Sequence, residues 1–224
     1  MDLKTVSAAR DILIDTCMAN AGFPQWVPAP DLPQLSGVSA MDSRYGIHRA
    51  DLAAERGYHP DESVQKAYDE AVSAGAVDTS GADAGTLRQC ARQADTRAPQ
   101  VKTSHVVKAM DAGSFTASKK DPQVLAVFAK WSHCMKGKGF TYETPLDARN
   151  DSRFHAPKVV TQLEISTAVA DVACRKEHAL ERTWFAVEAG LQQQAIKREQ
   201  PALQALKESN AASVATSSSV LRER

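Results

Sequence analysis

The chain has 224 residues, of which 43% are apolar and 24% charged, so it is long enough to bury a substantial core. Its 27 basic side chains are balanced by 27 acidic ones, which argues against nucleic-acid binding because phosphate recognition requires a concentrated basic surface. Aromatic residues make up only 6% and alanine is abundant, a composition that favours packed helices over a β-sandwich.

The first half of the chain reads as helices joined by breaker residues. A helix is predicted from about Lys4 to Asn20, ended by Gly22 and Pro24. A proline-rich, irregular crossing follows at residues 24–39. Further helices are predicted at residues 50–56, 62–74, 86–96 and 101–111.

The second half begins with a clear start signal. Asp121 followed by Pro122 is typical of an N-cap and a first helical residue. From residue 156 the helical pattern continues for about fifty residues, which would measure about 75 Å if straight. We therefore expect this long C-terminal helix to project in part as a coiled arm, kinked or restarted at Pro201. The Ser/Ala-rich tail at residues 211–224 is predicted to be disordered.

A motif occurs twice. The segment Cys17-Met18-Ala19-Asn20-Ala21-Gly22-Phe23 returns at residues 134–140 as Cys-Met-Lys-Gly-Lys-Gly-Phe. Downstream, Asp42-Ser43-Arg44-Tyr45 is echoed by Asp151-Ser152-Arg153-Phe154. The sequence therefore predicts an all-α fold of two helical half-repeats, residues 1–112 and 113–210, that share one core. We interpret the repeated Asp-x-Arg as a lock on each crossing loop, in which the arginine binds a carboxylate or backbone carbonyls.

The four cysteines are divided two and two between these halves. Four cysteines allow three connectivities, and we favour the pairs within each half, Cys17–Cys90 and Cys134–Cys174. Each bond would contribute about 4 kcal/mol of stability. This pattern favours an oxidising compartment, whereas four reduced cysteines would indicate a cytosolic protein. A cysteine zinc site is disfavoured because the chain has no C-x-x-C pair.

The second copy carries a resemblance. Residues 134–140, Arg153-Phe154, residues 167–174 and Trp184 with Glu188 and Gln192 resemble actinobacterial extracytoplasmic Cys-containing proteins of unknown function, secreted or of the lipoprotein type. Arg44-Tyr45-Gly46-Ile47 with Gly57-Tyr58 fits the same pattern in the first half. The resemblance covers most of residues 10–205 and implies a domain outside the membrane, commonly attached by an N-terminal lipid. No lipobox is visible before Met1 in this chain.

We expect a non-enzymatic cell-envelope protein that binds a peptide, a protein or an envelope component. One form of this hypothesis is an accessory or immunity-like protein that works beside an ABC exporter. A homodimer through the long C-terminal helix is a further expectation, and we expect no cofactor, no metal and no nucleic-acid partner. The candidate binding residues are Arg44, Tyr45, Arg153, Phe154, Trp184 and Gln192.

Three alternative kinds of chemistry are weighed against structural roles. A hydrolase would assemble the Asp-x-Arg segments with His48 or His155. His133-Cys134-Met135 offers three copper-type ligands, but adjacent helical residues point about 100° apart and a disulfide would remove the thiol. Glu177-His178 could form half of an acid/base pair, yet a solvated helix face that also includes Arg175 explains it better.

Overall fold

The computed structural model describes residues 3–30, 32–33, 44–75, 79–155 and 159–223. Within these ranges the chain forms α-helices and one 3-10 turn and contains no β-strand, which confirms the all-α class. Asp42 and Ser43 of the first Asp-x-Arg segment lie outside the described residues, as does Ala156-Pro157, the predicted start of the long helix.

Most helices lie close to their predicted positions. The 101–111 segment is helical but shifted, and the long C-terminal stretch is divided into three helices. The bounds are α1 Leu3–Asn20, α2 Ala50–Arg56, α3 Glu62–Gly75, α4 Ala84–Arg97, α5 His105–Ser118, α6 Pro122–Gly137, α7 Pro145–Arg149, the 3-10 turn Ser152–Phe154, α8 Gln162–Glu177, α9 Leu180–Arg198 and α10 Gln200–Arg222.

The two copies of the Cys-Met-x₃-Gly-Phe motif end their helices in the same way. The N–H of Phe23 donates to the carbonyl of Met18 (2.9 Å), and the N–H of Phe140 donates to that of Met135 (3.0 Å). The intervening Gly22 and Gly139 have φ of 95° and 90°, a left-handed conformation that L side chains rarely adopt. Each motif therefore closes its helix with the same C-terminal capping turn.

Both predicted disulfides are confirmed. Cys17 of α1 is bonded to Cys90 of α4, and Cys134 of α6 is bonded to Cys174 of α8. The methionine after each first cysteine is fully buried, so each bond lies beside a packed helix end. Each disulfide fastens the motif-bearing helix to a second helix.

The chain forms two compact units, each built from separate stretches. The first unit comprises residues 1–32, 70–109 and 196–224, and the second comprises residues 33–69 and 110–195. Three of the four boundaries fall within α3, α5 and α9, and the fourth lies between residues 32 and 33. The sequence predicted one shared core, but the described buried clusters belong to one unit or the other. The division into half-repeats at residue 112 stays a prediction about duplication.

In the first unit, α1 packs against α4 and α10. The tail at residues 211–224 was predicted to be disordered, and this is wrong for residues 211–222, which belong to α10. Its small residues let the helix approach its neighbours closely, so that Ser213, Ser217 and Val220 are buried. Asn210 fixes this helix by exchanging two hydrogen bonds with the backbone of Lys102 (2.9 and 3.0 Å).

The long C-terminal stretch is not one continuous helix. It breaks after His178, where Ala179 has a φ of +49°, and again at Glu199. The predicted restart at Pro201 is confirmed, because this proline lies in the first turn of α10. The prediction of a projecting arm is wrong for α10, since this helix packs within the first unit rather than standing free.

In the second unit, a buried cluster gathers large side chains from α6 and α9. Trp131 and Trp184 are both fully buried there, and Phe128 meets the Trp184 ring edge-on at a centroid distance of 5.0 Å. The helix α6 begins as predicted, with Asp121 accepting a hydrogen bond from the N–H of Gln123 (2.8 Å).

Candidate functional site

Among its described residues, the second unit buries four charged side chains. Glu164, Asp171 and Arg175 lie on α8 and Glu188 lies on α9, and none is more than 1% exposed. Burying a charge costs free energy unless the charge is paired and hydrogen-bonded, so each of these residues needs polar partners from the surrounding chain. The segment from Arg44 to His59 provides much of that pairing.

Glu188 accepts hydrogen bonds from four side chains. Its donors are the guanidinium of Arg44 (Nε, 2.7 Å), the hydroxyl of Tyr45 (2.8 Å), the hydroxyl of Ser114 (3.2 Å) and the amide of Gln192 (3.1 Å). Burial acts to raise the pKa of Glu188, but the bonds from Arg44 and Tyr45 outweigh it, so the pKa lies below its ordinary value. Glu188 is therefore held as a carboxylate.

This arrangement brings together four of the six predicted binding residues. Arg44, Tyr45 and Gln192 meet at Glu188, and the Tyr45 ring contacts Trp184 edge-on at 5.1 Å between centroids. Trp184 is fully buried and its indole N–H donates to the hydroxyl of Ser118 (2.8 Å). The buried rings of Tyr45 and Trp184 are thus part of the core and present no surface to a partner.

The other two predicted residues lie at a different place in the second unit. Arg153 binds Asp151, two residues earlier, through Nη2 (2.6 Å), and its Nη2 also donates to the hydroxyl of Tyr142 (3.1 Å). Phe154 is buried and stacks on Tyr58 at 5.9 Å between centroids. The predicted Asp-x-Arg lock is confirmed in this second copy. In the first copy the described partners of Arg44 include Glu188 and Asp111.

Asp171 and Arg175 form a second buried polar centre. One oxygen of Asp171 accepts from the indole N–H of Trp131 (2.8 Å) and from Nε of Arg175 (2.5 Å), and the other accepts from the hydroxyl of Tyr58 (3.1 Å). Burial and the negative charge of Asp171 raise the pKa of Tyr58, which stays a protonated donor. Nη1 of Arg175 donates to the backbone carbonyl of Tyr45 (2.6 Å).

Glu164 holds the far end of the same segment. One of its oxygens accepts from the N–H of Tyr58 (2.8 Å) and contacts Nδ1 of His59 (2.8 Å). Its other oxygen has no hydrogen-bond partner among the described residues. Together, Glu164, Arg175 and Glu188 bind the segment Arg44–His59 at both ends.

The sequence reasoning missed most of this network. It placed Arg175 on a solvated face, whereas Arg175 is 1% exposed. The signal that could have found the network is the spacing of Glu164, Asp171 and Arg175, whose separations of seven and four residues keep them on one helix face. Small and apolar residues interleave with them on that face, as at Ala168 and Val172.

The residues proposed for a hydrolase are not assembled in the second copy, and Asp42 of the first copy lies outside the described residues. His48 and His155 are both exposed, and the described hydrogen bonds of Asp151 go to Arg153 and Tyr142 rather than to His155. The copper interpretation also fails. Cys134 is disulfide-bonded and Met135 is fully buried, so His133-Cys134-Met135 cannot act as a ligand set.

One group of metal-type ligands does occur among the described residues. Ligand atoms of Cys134, Glu177 and His178 lie within 4.8 Å of one another. Because Cys134 is bonded to Cys174, it offers no thiolate while that bond is intact.

The first unit contains an apolar groove of about 460 Å³. Trp26 and Leu87 line it, and Thr79 is its one lining residue with a polar side chain within the described ranges. At the groove, the end of α3 approaches the extended chain closely, because a Cβ added to Gly75 would lie 3.2 Å from the Cβ of Ala29. The remaining lining residues are Val27, Pro28, Ala29, Pro30, Ala74 and Gly75.

Two properties bear on where such a protein works. Its two disulfides indicate an oxidising environment. Within the described ranges, every helix is too short or too polar to cross a bilayer. In comparisons with known proteins, no family model, no curated protein and no solved structure matches this chain.

Proposed function

We propose that this chain is a non-enzymatic extracytoplasmic protein whose first unit binds an extended, apolar peptide segment. The observation that carries the proposal is the groove lined by Trp26, Leu87 and the proline-rich segment 27–30. Its volume lies within the usual range for ligand sites, roughly 300–1,000 Å³. The apolar lining selects apolar side chains rather than charged ones.

The chemistry of the groove favours a peptide in an extended conformation. Residues 27–30 have no helical structure and are exposed, with Val27 69% exposed. Aromatic-lined grooves are a recurring way to hold extended peptide segments. Trp26 is itself packed beside Met18 and the disulfide cysteine Cys90, which gives the groove a rigid base.

The buried polar network supports a non-enzymatic role. Glu188 and Asp171, two fully buried carboxylates of the second unit, accept hydrogen bonds from other parts of the protein's own chain. The disulfides and the resemblance to extracytoplasmic proteins both favour a position outside the cytosol, secreted or lipid-anchored. A role beside an exporter that handles amphiphilic peptides is one setting in which such a groove is useful.

A fluorescence-anisotropy titration tests this function. The probe is a fluorescein-labelled, uncharged peptide of alternating leucine and glutamine, compared with a peptide in which serine replaces every leucine. We expect saturable binding of the leucine peptide only. Val27→Asp places a charge in the groove and should weaken binding at least tenfold, because the carboxylate is desolvated on binding.

Val107→Asp is the matched control, since Val107 is also exposed, at 40%, but does not line the groove. It should leave the affinity unchanged within twofold. Absence of saturable binding, or an equal loss of affinity in both variants, contradicts the proposal.

A further inference from the structure

Two side chains of metal-ligand type, Glu177 and His178, lie beside the second disulfide. Cys134 lies on α6, Glu177 is the last residue of α8, and His178 follows it; their ligand atoms lie within 4.8 Å of one another. Cys174, the bonded partner of Cys134, precedes Glu177 and His178 by three and four positions. Residues three and four apart on a helix lie on the same face, so all four side chains converge at the end of α8.

We propose that reduction of the Cys134–Cys174 bond opens a zinc site formed by both thiolates, the carboxylate of Glu177 and the imidazole of His178. Two cysteines with a histidine and a carboxylate are ligand types that Zn²⁺ binds in tetrahedral geometry. Zinc bonds of about 2.0–2.3 Å place tetrahedral ligand atoms roughly 3.5 Å apart, which is close to the present spacing of at most 4.8 Å among Cys134, Glu177 and His178. The disulfide closes the site, because a bonded sulfur carries no thiolate charge.

The exposure of the two cysteines determines which sulfur atom a reductant attacks first. Cys174 is fully buried, whereas Cys134 is half-buried and therefore open to attack. A thiolate of a dithiol donor attacks Sγ of Cys134, the S–S bond breaks, and Cys174 leaves and takes up a proton. The second thiol of the donor then attacks the mixed disulfide, which releases Cys134 as a thiol and the donor as its own disulfide.

Two electrons have then passed from the donor to the cysteine pair. Binding of Zn²⁺ releases the two thiol protons to solvent. Glu177 and His178 are reachable by an incoming ion, since their side chains are 62% and 22% exposed.

The first disulfide provides an internal comparison. Gln93 lies three residues after Cys90, as Glu177 lies three residues after Cys174. In both copies the oxygen of that side chain approaches the sulfur of the other cysteine, at 3.3 Å from Cys17 and 3.6 Å from Cys134. The geometry is therefore repeated, but the ligand chemistry is not.

The position after each of these residues differs as well. Ala94 follows Gln93, whereas His178 follows Glu177. An amide and a methyl group thus replace the carboxylate and the imidazole. The first copy lacks two of the four ligands, and we expect it to bind no zinc.

The test uses two matched double variants. C17A/C90A retains only the second cysteine pair, and C134A/C174A retains only the first. Each is reduced with a phosphine, which is then removed, and titrated without oxygen with Co²⁺ as a spectroscopic substitute for Zn²⁺. We expect a sulfur-to-cobalt charge-transfer band that saturates at one Co²⁺ per chain in C17A/C90A, with no such band in C134A/C174A.

Single substitutions in the reduced wild-type chain provide a second measurement that does not depend on the double variants. His178→Ala and Glu177→Gln should each weaken Co²⁺ binding at least tenfold, and Gln93→Ala should not. Far-UV circular dichroism checks that the helices persist after reduction. Equal bands in both double variants, no effect of His178→Ala, or loss of helical signal on reduction would each overturn the proposal.

Discussion

Replacing Glu188 by alanine removes the carboxylate at which Arg44, Tyr45, Ser114 and Gln192 meet. The loss of this acceptor does not affect the four hydrogen-bond donors equally. Ser114 also bonds the carbonyl of Asp111 (3.0 Å), and Gln192 is half-buried and reaches water. Most of the lost stability is therefore expected to come from the hydrogen bonds of Tyr45 and Arg44.

The magnitude follows from these two donors. The hydroxyl of Tyr45, on a residue only 3% exposed, is left unsatisfied, which costs about 1–3 kcal/mol. Loss of the charge-assisted bond from Arg44 costs about 1.5–3 kcal/mol in a buried site, but Arg44 is 25% exposed and keeps Asp111 at 3.0 Å. We discount the second contribution for this exposure and expect a total of about 3 kcal/mol.

Chemical denaturation with the disulfides intact measures this loss. Of the three tryptophans, Trp131 and Trp184 lie in the second unit and Trp26 lies in the first. In a Trp26→Phe background, the fluorescence transition therefore follows unfolding of the unit that contains Glu188. Glu177→Ala is the control, because this glutamate is largely exposed and surface substitutions usually change stability by less than about 0.5 kcal/mol.

Tyr45→Phe completes a double-mutant cycle. It should cost about 1.5 kcal/mol alone and much less in the Glu188→Ala background, because its acceptor is already gone. A loss below about 1 kcal/mol for Glu188→Ala, or additive effects in the cycle, would show that the buried network does not hold this part of the chain.

Three further outcomes are expected. A methyl group at Gly46 would lie 2.6 Å from Nη2 of the buried Arg175, so Gly46→Ala should lower the free energy of unfolding of the second unit by about 1–3 kcal/mol in urea denaturation. Gly113→Ala is the control and should not destabilise this unit, because no atom lies within 4 Å of the added methyl group. Because the pKa of Glu188 is lower in the folded state, the stability that its ionised carboxylate contributes is present above the unfolded pKa near 4.5 and is lost as the pH falls through the folded pKa. Denaturation measured across pH 2–6 should therefore show a smaller decrease of unfolding free energy with falling pH in Glu188→Gln than in the wild type. Replacing both cysteines of either disulfide by alanine should lower the free energy of unfolding by about 4 kcal/mol. A decrease of less than a few degrees in the thermal unfolding midpoint would contradict this expectation.

The sequence predicted the helix ends well because their causes are local. Gly22 and Gly139 end their helices with left-handed turns, and Asp121 caps α6, as expected from a few adjacent residues. The disulfide pairing was also predicted, since the repeated motif assigned one pair to each half. These features need no knowledge of distant parts of the chain.

The buried face of α8 was harder to predict. The apolar side chain of Val169 is 41% exposed, while the charged side chains of Glu164 and Arg175 are buried. Hydrophobic periodicity assumes that charges face water, and it fails when a distant segment supplies their partners. Here the partners include Tyr45 and Tyr58, more than a hundred residues away.

The candidate binding residues show the same limit. Arg44, Tyr45, Trp184 and Gln192 were singled out together and do lie together, yet Tyr45 and Trp184 are buried. The groove at Trp26 was not predicted, because its lining comes from three stretches separated in sequence.

By itself the sequence determined an all-α chain with two capped motif helices and two cross-links, because capping, helical periodicity and cysteine pairing depend on short-range chemistry. Only the tertiary structure decided which charges are buried and that the Ser/Ala-rich end is the helix α10. Burial depends on what packs against a residue, and the partners of Glu188, Arg175 and α10 come from far along the chain. The small side chains of α10 have little hydrophobic signal of their own, so their order is visible only once α1 and α4 are in place.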